Sequence, residues 1–169
     1  MILNNAVNTG SFIYCMAHWT PNESNTYYNA GNGHYHQAVY VVDGEGIAEI
    51  RETADGPVIR REDDRAVGQL IDLSPTKGLY HTTITKDSSL TMIMFNPIPE
   101  TRDLKIEIVR GAENRTITAT DKRIVVVCIT GPITANDKTL VSLQHAKIFP
   151  GKTVELVVPE NAVCAVVSE

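Results

Sequence analysis

Short apolar stretches rich in Val, Ile and Thr recur along the whole chain, each closed by a turn-forming pair such as Asp-Gly, Gly-Pro, Pro-Gly or Asn-Asp. This pattern predicts strands over Phe12–Ala17, Ala38–Val42, Gly46–Arg51, Gln69–Leu73, Leu79–Ile84 and Leu90–Phe95. Further strands are predicted over Lys105–Val109, Arg115–Ala119, Ile124–Ile129, Leu140–Ile148, Thr153–Val158 and Ala162–Val167. No window keeps a helical apolar period long enough to compete. Many short strands with regular turns imply an all-β sandwich or barrel, with a jelly roll as one standard arrangement.

Between the strands, Asn96-Pro97-Ile98-Pro99 marks a boundary, because two prolines this close do not continue a central strand. It divides the chain into a first lobe, residues 1–98, and a second, residues 99–169. A weak internal repeat agrees. AVYVVDGEGIAEI and VGQLIDLSPTKGLYHTTI in the first lobe share their order of features with VVVCITGPITAND and IFPGKTVELVVPENAVCAVV in the second. The charge run Arg60-Arg61-Glu62-Asp63-Asp64-Arg65 reads as a solvated loop or strand end. The Asn- and Gly-rich segment Pro21–Gly33 reads as a loop that acts as a lid, and Asn96 as a turn residue.

Composition narrows the classes. A chain of 169 residues fits one domain or two small lobes and is long enough for a full core. Apolar residues at 43% and charged residues at 21% are ordinary for a globular protein, and a net charge of -5 excludes a dedicated nucleic-acid binder. Cys15, Cys128 and Cys164 are too few and too widely spaced for a disulfide framework or a zinc finger. Neither a signal peptide nor an apolar run of membrane-spanning length is visible, so a cytoplasmic setting is expected.

The chemistry lies in the histidines. His34 and His36, two apart, project to one face if the backbone is extended there. His81 opens another predicted strand. Imidazole nitrogen suits divalent transition metals, and three protein ligands leave positions for water or substrate. His18 and His145 read as ordinary surface or core residues.

These residues resemble the two motifs of the cupin superfamily. Gly33, His34 and His36 followed by AVYVVDGEG look like the first motif, and Pro75, Gly78 and His81 like the second. The resemblance implies a cupin-type jelly-roll barrel in which His34, His36 and His81 bind one divalent metal: iron, zinc, manganese or nickel. It also implies a smaller cupin-like β lobe after it. The family's usual glutamate after the histidine pair is missing. Counting back from Gly44 puts Gln37 in its place; counting forward from His36 puts Tyr40 there. The second lobe has no His-x-His before Gly131, and Val163 or Cys164 stands where a third histidine would be.

Tyr14, Tyr27, Tyr28, Tyr35, Tyr40, Tyr80 and Trp19 concentrate in the first lobe and suit the walls of a small-molecule pocket. Two functions follow from the resemblance. One is a metal-dependent enzyme acting on a small organic molecule, as dioxygenase, lyase or isomerase, with Tyr35, Tyr40 and Tyr80 as acid–base candidates. The other is a non-catalytic protein that binds a small molecule or serves assembly on the same scaffold. The resemblance further implies a homodimer, and neither nucleic acid nor membrane is expected as a partner.

Overall fold

A computed structural model describes residues 1–29 and 35–169, with the backbone alone at residues 4, 5, 63 and 64. The chain divides into two compact units, Met1–Arg102 and Asp103–Glu169. Residues 99–102 group with the first unit. Strand β8 (Leu90–Pro97) pairs with β2 (Phe12–Trp19) as far as Pro97↔Phe12. Pro97 closes the strand end, a position that tolerates a missing N–H.

The first unit also contains β1 (Ile2–Asn8), β3 (Ser24–Asn29), β4 (Ala38–Arg51), β5 (Arg60–Ala66), β6 (Leu70–Asp72) and β7 (Leu79–Ile84). The order is β1-β2-β8-β4-β7-β3, with β5 and β6 also paired to β4. Strand β4 organises the unit. Its first half pairs with β8 from Ala38↔Phe95 to Gly44↔Leu90, and its second half with β7 from Ile47↔Ile84 to Arg51↔Tyr80. The sequence pattern predicts two strands here, but a single strand runs through Asp43-Gly44 and shifts register between Val41 and Asp43. Gly44 makes the passage possible. Its φ is +79°, and a Cβ there would sit 1.8 Å from the Ser89 carbonyl oxygen.

The sheet therefore curls at β4, which belongs to both of its halves. One inner face carries Cys15, Ala17, Trp19, Val39, Val41, Leu90, Met92 and Met94 as a single cluster. Ala48, Ile50, His81 and Thr83 of the other half are likewise buried. Side chains meet across the interior, where Arg65 Nη1 on β5 lies 3.6 Å from Met92 Sδ on β8. Burying apolar side chains of this size stabilises the barrel by about 1.5–3 kcal/mol each.

Two segments expected to be loops are strands. Pro21–Gly33 contains β3, which pairs with β7 from Ser24↔Ile84 to Asn29↔Leu79 and so is no lid over its described part. Its polar alternation hid it, because the residues between the exposed ones are Asn25, Tyr27 and Asn29 rather than aliphatics. The charge run Arg60–Arg65 belongs to β5, paired with β4 from Ile50↔Arg60 to Glu45↔Ala66. Arg65 within it is 1% exposed.

The second unit contains β9 (Lys105–Arg110), β10 (Glu113–Ala119), β11 (Ile124–Thr130), β12 (Ile133–Ala135), β13 (Lys138–Leu140), β14 (His145–Ile148), β15 (Lys152–Val158) and β16 (Val163–Ser168). They form two four-stranded sheets, β10-β15-β12-β13 and β14-β11-β16-β9. The core is apolar throughout, built on Val109, Ile117, Val126, Cys128, Ile133, Leu156 and Cys164 among others. The single strand expected over Leu140–Ile148 is broken in two by a turn at Leu143, whose φ is +65°. The protein is thus almost wholly β, and no helix among the described residues is long and apolar enough to cross a membrane.

Candidate functional site

On β7, successive residues alternate between faces, so His81 shares a face with Thr83, and Tyr80 and Thr82 lie on the other face, where Thr82 bonds Thr26 and Arg51. The β3 and β4 ladders place Tyr27 and Ile50 opposite His81 on either side. The Tyr27 ring stacks on His81, with centroids 5.3 Å apart and planes 18° from parallel. His81 is fully buried, and neither ring nitrogen has a hydrogen-bond partner. Burial first, then the charge of Arg65, hold its pKa down to about 4. The Thr76 main chain pulls the other way, yet meets neither ring nitrogen in hydrogen-bond geometry. The ring is neutral near pH 7.

His36 is delivered from the segment just before β4 by a buried amide. The Asn29 side chain accepts a hydrogen bond from the His36 N–H at 2.9 Å and donates to the His36 carbonyl at 3.3 Å and the Leu73 carbonyl at 3.5 Å. The Asn29 carbonyl in turn accepts from the Gly78 N–H at 2.5 Å. One residue therefore ties the end of β3 to the His36 backbone and to the turn that leads into His81. Nδ1 of His36 donates to Asn96 Oδ1 at 2.5 Å, so Nδ1 carries a proton and Asn96 fixes the ring's orientation. The Tyr27 ring meets His36 edge-on at 5.0 Å, so it touches both histidines. His34 and Gly33 lie outside the described residues.

Beside these rings stands Arg65. Its Nη1 donates to Thr83 Oγ1 at 3.2 Å and approaches Met92 Sδ at 3.6 Å, but Nε and Nη2 have no partner. The Tyr27 hydroxyl is also buried without a partner. Burial raises its pKa, and the nearby guanidinium works against that rise. The two groups thus share one space without a hydrogen bond of good geometry between them.

The remaining expected site residues divide. Gln37 is buried, its N–H donating to Phe95 and its carbonyl accepting from Leu73. Tyr35 is buried beneath Lys77, whose Nζ lies 4.4 Å from the ring centroid. Tyr40 alternates with Val39 and Val41 and so lies on the opposite face of β4 from the interior cluster. Tyr80 faces outward and packs on Tyr28 at 4.8 Å, with Tyr28 47% exposed. Neither Tyr40 nor Tyr80 shares the face that carries His81. His18 bonds Thr91 Oγ1 at 2.9 Å, and His145 lies on β14 in the second unit. Tyr27, Asn29, Arg65 and Asn96 complete the cluster. Their signal in the sequence was a polar residue at every second position of β3 and at the ends of β5 and β8.

The described part of this cluster offers a divalent transition metal two imidazoles, with the His36 ring oriented by Asn96 and neither nitrogen of the buried, neutral His81 ring in a hydrogen bond with a described residue. No group of three or more His, Cys, Asp or Glu side chains converges among the described residues. Arg65 adds a positive charge, and no described carboxylate makes an ion pair with it.

No protein-family model and no curated protein matches the chain. Solved structures do. A cupin 2 conserved barrel domain protein from Leptotrichia buccalis is 11% identical with a TM-score of 0.54, over 99% of this chain and 88% of that one. The bacterial pirin YhhW from Escherichia coli, in complex with nickel(II), is 10% identical with a TM-score of 0.59, over 94% of this chain and 82% of that one. A salicylate 1,2-dioxygenase from Pseudaminobacter salicylatoxidans is 10% identical with a TM-score of 0.57, over 94% of this chain and 70% of that one. At such identities the likeness is one of fold. Taken with the strand order that turns through β4, it shows that this chain has the cupin-type barrel fold.

Proposed function

We propose that the interior of the first unit is a metal-dependent small-molecule site, and that the protein is an enzyme acting on a small organic compound there. The observation that carries this reading is the convergence of His36 and His81 on one Tyr27 ring, in an interior where His81 has no other partner. His34, His36 and His81 are the proposed ligands, with the Gln37 amide oxygen in the place of the missing glutamate. Iron, zinc, manganese and nickel all accept such donors. Structural neighbours with a bound nickel(II) and a dioxygenase activity support the class without choosing the reaction.

The metal would supply Lewis acidity toward a substrate oxygen. The chain's own residues do the rest. Asn29 and Asn96 orient His36, one through the backbone and one through the ring. The walls formed by Trp19, Val41, Met92 and Ile50 keep water out. Tyr27, protonated because burial raises its pKa, holds a proton at Oη inside the site, and Tyr35 is the second candidate for moving one.

Elemental analysis of the purified protein, followed by titration of stripped protein with each metal, tests the proposal. A single metal per chain in wild type, lost in His81→Ala and His36→Ala, is the expected result. Wild-type protein that takes up no metal refutes it. The absence of a converging carboxylate among the described residues favours a second reading, a non-catalytic binder. In that case His81→Ala lowers ligand affinity while no turnover is found in wild type.

A further inference from the structure

The least expected group in the molecule is the Arg65 guanidinium, 1% exposed at the centre of a barrel with two of its three nitrogens lacking protein partners. Which two decides the argument. Nη1, the nitrogen on the Cδ side, is taken by Thr83 and Met92. Nε and Nη2 lie on the opposite edge of the guanidinium plane, where their N–H bonds run nearly parallel. That edge is the side-on fork that meets both oxygens of a carboxylate. An arginine buried for structural reasons normally spends this edge on an Asp or Glu, since an unpaired buried charge is strongly unfavourable. Here the edge makes no hydrogen bond of good geometry with any described residue, and the Tyr27 hydroxyl close beside it and the His81 ring make none either. Thr83 and Met92 hold the plane from behind and so fix the direction of the fork.

We infer that this edge of Arg65 binds the carboxylate of the small-molecule ligand, and that the protein's substrates are organic acids. The inference rests on the reading of the barrel interior as a small-molecule site and deepens it. The carboxylate takes Nε–H and Nη2–H as a bidentate pair. The Tyr27 hydroxyl donates to a ligand oxygen, and the rest of the ligand extends along the wall of Trp19, Val41 and Met92. The apolar wall and Arg65, the one buried cation among the described residues, select a monoanion with an apolar body over a polyanion. A planar carboxylate suits the fork better than a tetrahedral phosphate, which calls for more donors than this space offers.

The test uses full-length protein stripped of metal and dialysed into phosphate-free buffer. Acetate and benzoate are titrated alongside acetamide and benzamide, which keep the shape and remove the charge. Binding is read from Trp19 emission and from the thermal midpoint. At least one of the two acids is expected to bind tenfold or more tightly than its amide. Arg65→Met is expected to lose that preference while keeping the weak amide affinity. Arg65→Lys, which keeps the charge without the fork, should fall between and covers the case in which Arg65→Met does not fold. Equal affinity for acid and amide, no binding of either acid by wild type, or an unchanged acid preference in both variants overturns the inference. Metal content measured on the same preparations separates the two proposals. Metal uptake without acid preference removes only the organic-acid assignment, and acid preference without metal uptake supports it while removing the metal.

Discussion

If Arg65 is held for a ligand and not for the fold, then removing its charge should stabilise the ligand-free protein. Arg65→Met is the sharpest perturbation, because methionine fills the same length of apolar channel and adapts to irregular surroundings. The magnitude can be worked from the contacts. Nε and Nη2 are buried without partners, each at a cost of about 1–3 kcal/mol, so the pair costs about 2–6 kcal/mol. Against this, the variant loses the charged hydrogen bond to Thr83 at 3.2 Å, worth about 1.5–3 kcal/mol. The balance centres on a gain of about 2 kcal/mol.

Urea unfolding followed by tryptophan emission is the assay. Trp19 is the single tryptophan, lies in the first unit and is 1% exposed, so it reports this barrel and no other part of the chain. With a slope of about 2 kcal/mol/M, the midpoint should rise by about 1 M in phosphate-free buffer. A midpoint that falls while the slope stays constant refutes the reasoning. It would mean that the guanidinium contributes to the fold and that its edge is satisfied in solution.

Other outcomes follow from particular contacts. Gly44→Ala should leave little folded protein, because φ is +79° and the new Cβ would lie 1.8 Å from a backbone oxygen, a conflict beyond about 4 kcal/mol; soluble yield and tryptophan emission check it. Asn29→Ala orphans the His36 N–H and should cost about 2–3 kcal/mol in urea unfolding, with weaker metal uptake as a second readout. Tyr80→Phe changes an outward-facing ring and should move the midpoint by less than about 0.5 kcal/mol. Burial raises the thiol pKa values of Cys15 and Cys128 to about 11 and of Cys164 to about 12, so native labelling by iodoacetamide at pH 8 should run at least ~100-fold slower than in urea.

The fold was legible where apolar residues alternate or run together. Strands β7, β8, β11 and β15 lie close to where Val, Ile, Leu and Thr predict them, because those side chains face a dry interior that rewards them. It failed at β3 and β5. There the inward positions are Tyr27, Asn29 and Arg65, and a polar residue at an inward position looks the same in sequence as one in a loop. Of the expected site residues, His36 and His81 both meet the Tyr27 ring, while Tyr40 and Tyr80 fall on faces turned away from His81, a fact fixed by strand register rather than by residue type. The residues that reading missed are those that break the local rule of apolar inside and polar outside. Such breaks concentrate at functional sites, where interaction with a ligand offsets the local cost.

Charge ties these findings together. Where the usual cupin site sets a carboxylate beside its histidines, the described interior of this barrel sets the neutral His81 ring beside a buried guanidinium. A divalent metal added to that set puts three positive charges in a low-dielectric space, whose mutual repulsion a bound anion relieves. A bound organic acid supplies that anion at the Arg65 fork. Metal and acid should therefore bind with positive cooperativity, each raising the affinity for the other by the same factor. Metal titration with and without saturating benzoate reads that factor directly, and Arg65→Met should bring it to one by removing the charge that makes the anion necessary. Metal affinity in wild type that is indifferent to benzoate would show that the two sites do not share one electrostatic balance.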